Sequence, residues 1–248
     1  MMGIYVAENI TKESNILHTI SHSMDMIGNV MCIIPAKRQS KRIPEKNIKP
    51  FHGIPIIQYT IKAAIESGCF ETVIVSTDGD DVAEAAIDAG AEIFTRSAET
   101  CEDDAPMVDA VCEVLREYPT EYVCMAYPCA PFIKPHKIRA AYEYVSSGEY
   151  DSVFPVYRAE PPERTLIRRR DWFISRYPEY DNVNSQHFPH SYHIAGQFFF
   201  CDAEMVLTHE TVMLPRCWGI EVPRWEAVDI DTPDDWRYAE MLYGMNDV

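Results

Sequence analysis

Positive charge is scarce in this sequence: 22 lysines and arginines face 39 aspartates and glutamates across 248 residues, a formal net charge of −17. Such a field repels nucleic acid and anionic membrane, so a phosphate-bearing ligand has to meet a local basic patch. Long apolar runs are missing too. No stretch reaches the roughly 18 residues of a membrane helix, and the opening segment lacks the charged, apolar and small-residue order of a secretory leader. The expectation is a cytoplasmic protein with neither nucleic acid nor membrane as a partner. The eight cysteines include no CxxC pair. Several sit inside apolar runs, which fits buried free thiols and argues against a disulfide framework or a zinc site. The glycine-rich phosphate motifs GxxxxGK(S/T) and GxGxxG are absent as well. What is left is an ordinary globular composition, 47% hydrophobic and 25% charged, sized for one large domain or one with a small annex.

Residues 1–29 carry no clear hydrophobic period and are expected to form an extension outside a fold that begins at Val30. From there short apolar runs read as strands at 30–35, 72–76, 91–94, 122–127 and 152–157. Periodic segments closed by glycine or a polar stop read as helices at 55–67, 80–89, 106–117 and 135–147. The alternation predicts an α/β domain over 30–248, with a Rossmann-like, mostly parallel sheet flanked by helices on both faces. Residues 158–192, rich in Arg, Pro, Tyr and Asn, break that rhythm and are expected to be an inserted loop or small subdomain. Strands are expected again at 194–201 and 226–230. A closing helix follows, in which Thr232 caps, Pro233 takes the first position and Asp235 completes a capping-box-like pattern.

Directly after the first strand comes Pro35-Ala36-Lys37-Arg38-Gln39-Ser40-Lys41-Arg42-Ile43-Pro44-Glu45-Lys46-Asn47, and six of the 22 cations fall between Lys37 and Lys49. Taken alone, such a run also fits a solvated basic turn. Its place favours a ligand. Open α/β sheets bind outside the carboxyl ends of their strands, where these cations and the Ser40 hydroxyl would face a phosphate chain.

This strand and loop resemble the signature of the sugar-acid cytidylyltransferases, P-A-R-x-x-S-K-x-x-x-x-K-N. Lys37 replaces the usual arginine, and Arg38 and Gln39 stand where many members carry two glycines. A lysine is a point charge and cannot make arginine's bidentate fork. The likeness continues through Ser76-Thr77-Asp78, Arg96 and Tyr127-Pro128-Cys129-Ala130-Pro131-Phe132. The stretch from Asn182 to Phe198 is similar to the pattern N-T-R-S-Q-D-L-P-x-x-Y-H-D-A-G-Q-F of the pseudaminic acid branch, departing at Asn184, His187 and Ile194 among its polar members. The resemblance implies the nucleotide-diphospho-sugar transferase fold. It also implies transfer of CMP from CTP to the anomeric hydroxyl of a nine-carbon sugar acid, pseudaminic acid favoured, with release of pyrophosphate. Nucleotide contacts are implied for Lys37, Ser40, Lys41, Lys46, Asn47, Asp78 and Arg96, sugar contacts for Tyr127, Gln186, His193 and Gln197, and catalytic roles for Lys46 and Asp231. A homodimer is implied too, with the segment from Arg164 to Arg176 near the neighbour's site.

Val228-Asp229-Ile230-Asp231-Thr232-Pro233 sets two carboxylates at i and i+2 of an extended segment, on one face. Alone, Asp231 also fits a contribution to the cap of the next helix, and Asp229 a structural carboxylate. With the resemblance, Asp229 and Asp231 read as ligands of Mg2+, which takes one or two protein carboxylates and fills its octahedron with water and phosphate oxygens. Two other readings stay open at this point: the same reaction on N-acetylneuraminate or legionaminate, and a nucleotide-binding protein without catalysis, motivated by the altered Lys37-Arg38-Gln39 stretch.

Overall fold

The computed structural model describes residues 29–102 and 104–246. The extension expected at 1–29 lies, apart from Asn29, outside the described residues. Asn29 itself belongs to the fold, since its carbonyl accepts from the backbone N–H of Glu121 at 3.0 Å and of Tyr122 at 3.3 Å.

In chain order the strands are β1 (Val30–Pro35), β2 (Pro50–Phe51), β3 (Ile54–Pro55), β4 (Thr72–Thr77), β5 (Glu92–Thr95), β6 (Tyr122–Ala126), β7 (Ser152–Ala159), β8 (Leu166–Arg169), β9 (Trp172–Ser175), β10 (Ser191–Ile194), β11 (Phe198–Asp202) and β12 (Cys217–Glu221). The helices are α1 (Ile57–Ser67), α2 (Asp80–Asp88), α3 (Met107–Glu117), α4 (Pro135–Ser146), α5 (Ala203–His209) and α6 (Pro233–Asn246). One sheet runs β10-β7-β11-β6-β1-β4-β5, with β12 on the other edge of β7. The run β6-β1-β4-β5 is parallel, and β11 enters antiparallel to both β6 and β7. The expected α/β architecture is therefore present, with an antiparallel inset on one side.

β1 is apolar and buried at every position, as a strand covered on both faces must be. Its side chains alternate between two cores. Val30, Cys32 and Ile34 join Ile57 and Ile61 of α1 and Ile138 of α4, whereas Met31 and Ile33 join Val111 and Leu115 of α3 and Val206 of α5. Because β4 lies on one side of β1 and β6 on the other, the connections diverge there, and a crevice opens beyond the carboxyl ends of these strands. The expected cap of α6 is made: the Thr232 N–H donates to Asp235 Oδ2 at 2.7 Å and the Asp235 N–H to Thr232 Oγ1 at 3.2 Å.

Several expectations need correction. The strand expected at 194–201 is two strands, β10 and β11, because Gly196 takes a left-handed φ of 65° and turns the chain between them. The strand expected at 226–230 is absent. Its apolar alternation is real, but Arg224–Glu226 forms a 3₁₀ turn and the Ile230 carbonyl is taken by Lys46 Nζ in place of a neighbouring strand. Within 158–192 the chain builds the β8–β9 hairpin, whose Leu166, Trp172 and Phe173 are exposed. All eight cysteines are free thiols, six of them buried.

A third apolar cluster sits under the crevice. Phe51, Ile56 and Ile43 from the segment after β1 pack with Trp236 and Ala239 of α6 and with Ile230. Phe51 is fully buried and meets the Trp236 ring edge-on at 5.6 Å. This cluster fastens the loop after β1 to the segment carrying Asp229 and Asp231. Phe51→Ala is expected to destabilise the fold by about 3–5 kcal/mol in urea unfolding, the usual cost of emptying an aromatic core site; a loss below about 1 kcal/mol would mean that the cluster does not bind the two segments together.

Candidate active site

The loop from Lys37 to Asn47 leaves the carboxyl end of β1 and borders a cavity of about 600 Å³. Lys37, Ser40, Lys41, Lys46 and Asn47 line it, as do Arg96 beyond β5, Tyr127 beyond β6, and both Asp229 and Asp231. The structure thus brings together nine of the residues singled out in the sequence. Four others stand outside this wall. Asp78 accepts a hydrogen bond from the Arg38 N–H at 2.6 Å, and Gln186 is exposed with its Nε2 3.3 Å from His187 Nε2. His193 lies exposed on β10 beside the Tyr157 hydroxyl, and Gln197 is buried with Nε2 donating to the Glu226 carbonyl at 2.8 Å.

Charge is paired across the cavity. Lys46, only 17% exposed at its side chain, donates to the Ile230 carbonyl and lies 3.4 Å from Asp231 Oδ1. Arg42 Nη1 meets Asp231 Oδ2 at 2.5 Å. Arg42 was expected only as one cation of the basic run, with no role of its own. Its side chain is 66% exposed, and ion pairs this open to water contribute at most about 1 kcal/mol, so a phosphate can compete for the guanidinium. Asp229 also lines the cavity, where partial burial raises its carboxyl above the usual range. The Asp231 carboxylate adds to that shift, while Lys46 and Arg42 oppose it. Gly196 lies beside Asp229, where a Cβ would make ordinary contact with the Asp229 carboxyl carbon at 3.5 Å, so the left-handed φ of 65° is what favours glycine there.

The loop is propped from beneath. Asn47 is buried, its Nδ2 donating to the Lys37 carbonyl at 2.8 Å and its Oδ1 accepting from the Cys129 thiol at 3.2 Å. Burial pushes the Cys129 thiol up to about 12, which keeps it a neutral donor. Arg96 is buried as well, with Nε donating to Thr100 Oγ1 at 3.2 Å. Burial, followed by the charge of Asp229, raises the Tyr127 phenol.

Among the described residues no cluster of three or more His, Cys, Asp or Glu is arranged to hold a metal. The donor set still suits a hard, partly hydrated cation. Asp229 has no hydrogen-bond or ion-pair partner among the described residues and opens into a cavity large enough for water and phosphate oxygens, the arrangement in which Mg2+ takes one or two carboxylates.

The sequence model of one family, described as cytidylyltransferase, matches residues 31–246. The chain belongs to the cytidylyltransferase family. As a member it is a CTP-using nucleotidyltransferase. It is 32% identical to the pseudaminic acid cytidylyltransferase of Campylobacter jejuni subsp. jejuni over 224 residues, 87% of this chain and 97% of that one. It is 35% identical to N-acylneuraminate cytidylyltransferase A of Danio rerio over 86% of this chain and 50% of that one. In fold it resembles a CMP:2-keto-3-deoxy-manno-octonic acid synthetase solved with CTP, at a TM-score of 0.66 and 17% identity, covering 88% of this chain and 99% of that one. For this cytidylyltransferase, Lys46→Ala removes a cation held at the cavity wall. A charge-assisted contact of about 1.5–3 kcal/mol to a triphosphate oxygen would go with it, so kcat/KM for CTP is expected to fall at least about tenfold. Equal values in variant and parent would take Lys46 out of the nucleotide site.

Proposed function

We propose that this cytidylyltransferase moves CMP from CTP to the anomeric hydroxyl of a nine-carbon sugar acid, with pseudaminic acid as the acceptor. The observation that carries the reading is a single cavity in which the loop cations face the Asp229 and Asp231 carboxylates, in a chain whose Campylobacter relative of nearly equal extent is named for pseudaminic acid. The anomeric oxygen attacks the α-phosphorus, and the bond from that phosphorus to the bridging oxygen of the β-phosphate breaks. Pyrophosphate leaves with the bonding pair, and the hydroxyl proton passes to solvent. No covalent enzyme intermediate is required, so the protein works by alignment and by charge neutralisation.

Lys37, Ser40, Lys41 and Lys46 hold the phosphates, while Asn47 keeps the loop in shape. Asp229 and Asp231 would hold magnesium, which when bound would supply positive charge against the negative charge at the reacting phosphoryl group. Tyr127 lies against the acceptor. A homodimer belongs to the proposal as well, with the arginine-rich β8–β9 hairpin set against the acidic surface of a second copy.

A second reading changes only the acceptor, to N-acetylneuraminate, and the 35% identity to the Danio rerio protein favours it. Pyrophosphate release from CTP, measured with each sugar acid in turn, separates the two. The highest kcat/KM is expected with pseudaminic acid. A higher value with N-acetylneuraminate or legionaminate would replace the acceptor, and no release with any of them would overturn the reaction. In the same assay Asp231→Ala is expected to lose most magnesium-dependent turnover while the protein stays folded, and unchanged turnover across a magnesium titration would remove Asp231 from the metal site.

A further inference from the structure

Arg38 and Gln39 occupy the places where the resembled family often carries glycine, yet only Gln39 borders the cavity. Arg38 turns the other way, onto the segment between β4 and α2. Its backbone N–H donates to Asp78 Oδ1 at 2.6 Å, and its Nε lies 3.6 Å from Asp81 Oδ2. Between those two aspartates sits Gly79. A Cβ built there would lie 2.7 Å from Asp81 Oδ1, 2.8 Å from Arg38 Cβ and 2.9 Å from Arg38 Cγ, all closer than real contacts allow; the carboxylate can rotate away, whereas the Arg38 carbons are bonded close to the backbone. The backbone of Gly79, at φ −115° and ψ 126°, is open to any residue. Glycine is needed at 79 for space alone, and the space it leaves is filled by the Arg38 stem.

We infer that Asp78, Gly79 and Arg38 form a latch that sets the register of the phosphate loop, which makes Asp78 a positioning residue. The inference rests on the reading of the Lys37 to Asn47 loop as the phosphate site. Three hydrogen bonds pin the first residues of that loop: the Ala36 N–H to the Ser76 carbonyl at 2.8 Å, the Lys37 carbonyl from Asn47 Nδ2 at 2.8 Å, and the Arg38 N–H to Asp78. With residues 36 and 38 tied to the end of β4, Lys37 between them is directed to the cavity. The Arg38–Asp81 ion pair contributes little, since the Arg38 side chain is 62% exposed. The backbone bond to Asp78 and the fit of the stem over Gly79 carry the latch.

The test is calorimetric titration of the full chain with CTP and magnesium chloride. Gly79→Ala pushes Arg38 away through atoms bonded close to its backbone, and CTP affinity is expected to fall about tenfold or more. Adding Arg38→Gly removes both clashing carbons, leaving only the Asp81 carboxylate, which can rotate aside, and is expected to restore most of that loss, which a general loss of stability at position 79 would not do. Asp78→Ala is expected to weaken CTP, and Asp78→Asn, which keeps an acceptor oxygen, to bind within about threefold of the parent. This second pair carries the test if Gly79→Ala fails to fold. Lys46→Ala is titrated alongside. If Lys46→Ala weakens CTP while Gly79→Ala and Asp78→Ala bind as the parent does, or if the double variant is no better than Gly79→Ala, the latch is overturned alone. If Lys46→Ala binds CTP unchanged, the loop is not the phosphate site and the latch falls with that reading.

Discussion

Six cations within thirteen residues repel one another, and the loop after β1 is tied down by hydrogen bonds to its backbone from Asn47, Asp78 and the end of β4, with ion pairs from distant carboxylates to Arg38, Arg42 and Lys46. Asp78 accepts from the Arg38 backbone N–H and Asp81 pairs with its guanidinium on the side away from the cavity, and Asp231 pairs with Arg42 and Lys46 within it. The sheet makes these meetings possible. Its parallel strands β6, β1 and β4 end at one edge, so segments far apart in sequence arrive there together. Asp231 does two things at this edge. It holds cations in place before a nucleotide arrives, and it lends a carboxylate to the face shared with Asp229. In a chain of net charge −17, six of the 22 cations gather at this edge, where the phosphate site is proposed, while the overall field repels polyanions.

The elements legible in the sequence were those with a strong local signal. The apolar run of β1, the glycine after α1 and the Thr232–Asp235 box each depend on residues within one turn or one strand. Elements set by distant partners were not. Residues 226–230 alternate like a strand, but the Ile230 carbonyl is held by Lys46 from 184 positions away. α5, seven residues long and capped by Asp202 accepting from the Met205 N–H at 2.9 Å, is too short to show a period. β12 has no clean alternation because it is an edge strand whose pairing with β7 is the main reason for its shape.

The site divides in the same way. That the basic loop would border a cavity was legible because its charge, its position after a strand and its resemblance agree. Asp78 looked like a nucleotide ligand by resemblance, and its role as anchor for the Arg38 N–H became visible only when two loops 40 positions apart met. Gln186 and His193, chosen for the sugar, lie exposed on the chain returning through β10, and Gln197 is buried against Glu226. The cavity wall therefore holds most of the residues proposed for the nucleotide half of the reaction. The acceptor half rests on kinship with enzymes named for sugar acids.

The central claim is that the triphosphate of CTP lies between the Lys37 to Asn47 loop and the Asp229–Asp231 face. A crystal structure of the protein with CTP tests it most directly. The account predicts phosphate oxygens within hydrogen-bonding distance of Ser40 and Lys46, with Arg42 drawn off Asp231 toward the phosphates. A triphosphate bound outside this cavity, with Arg42 and Lys46 still resting on Asp231, would contradict it.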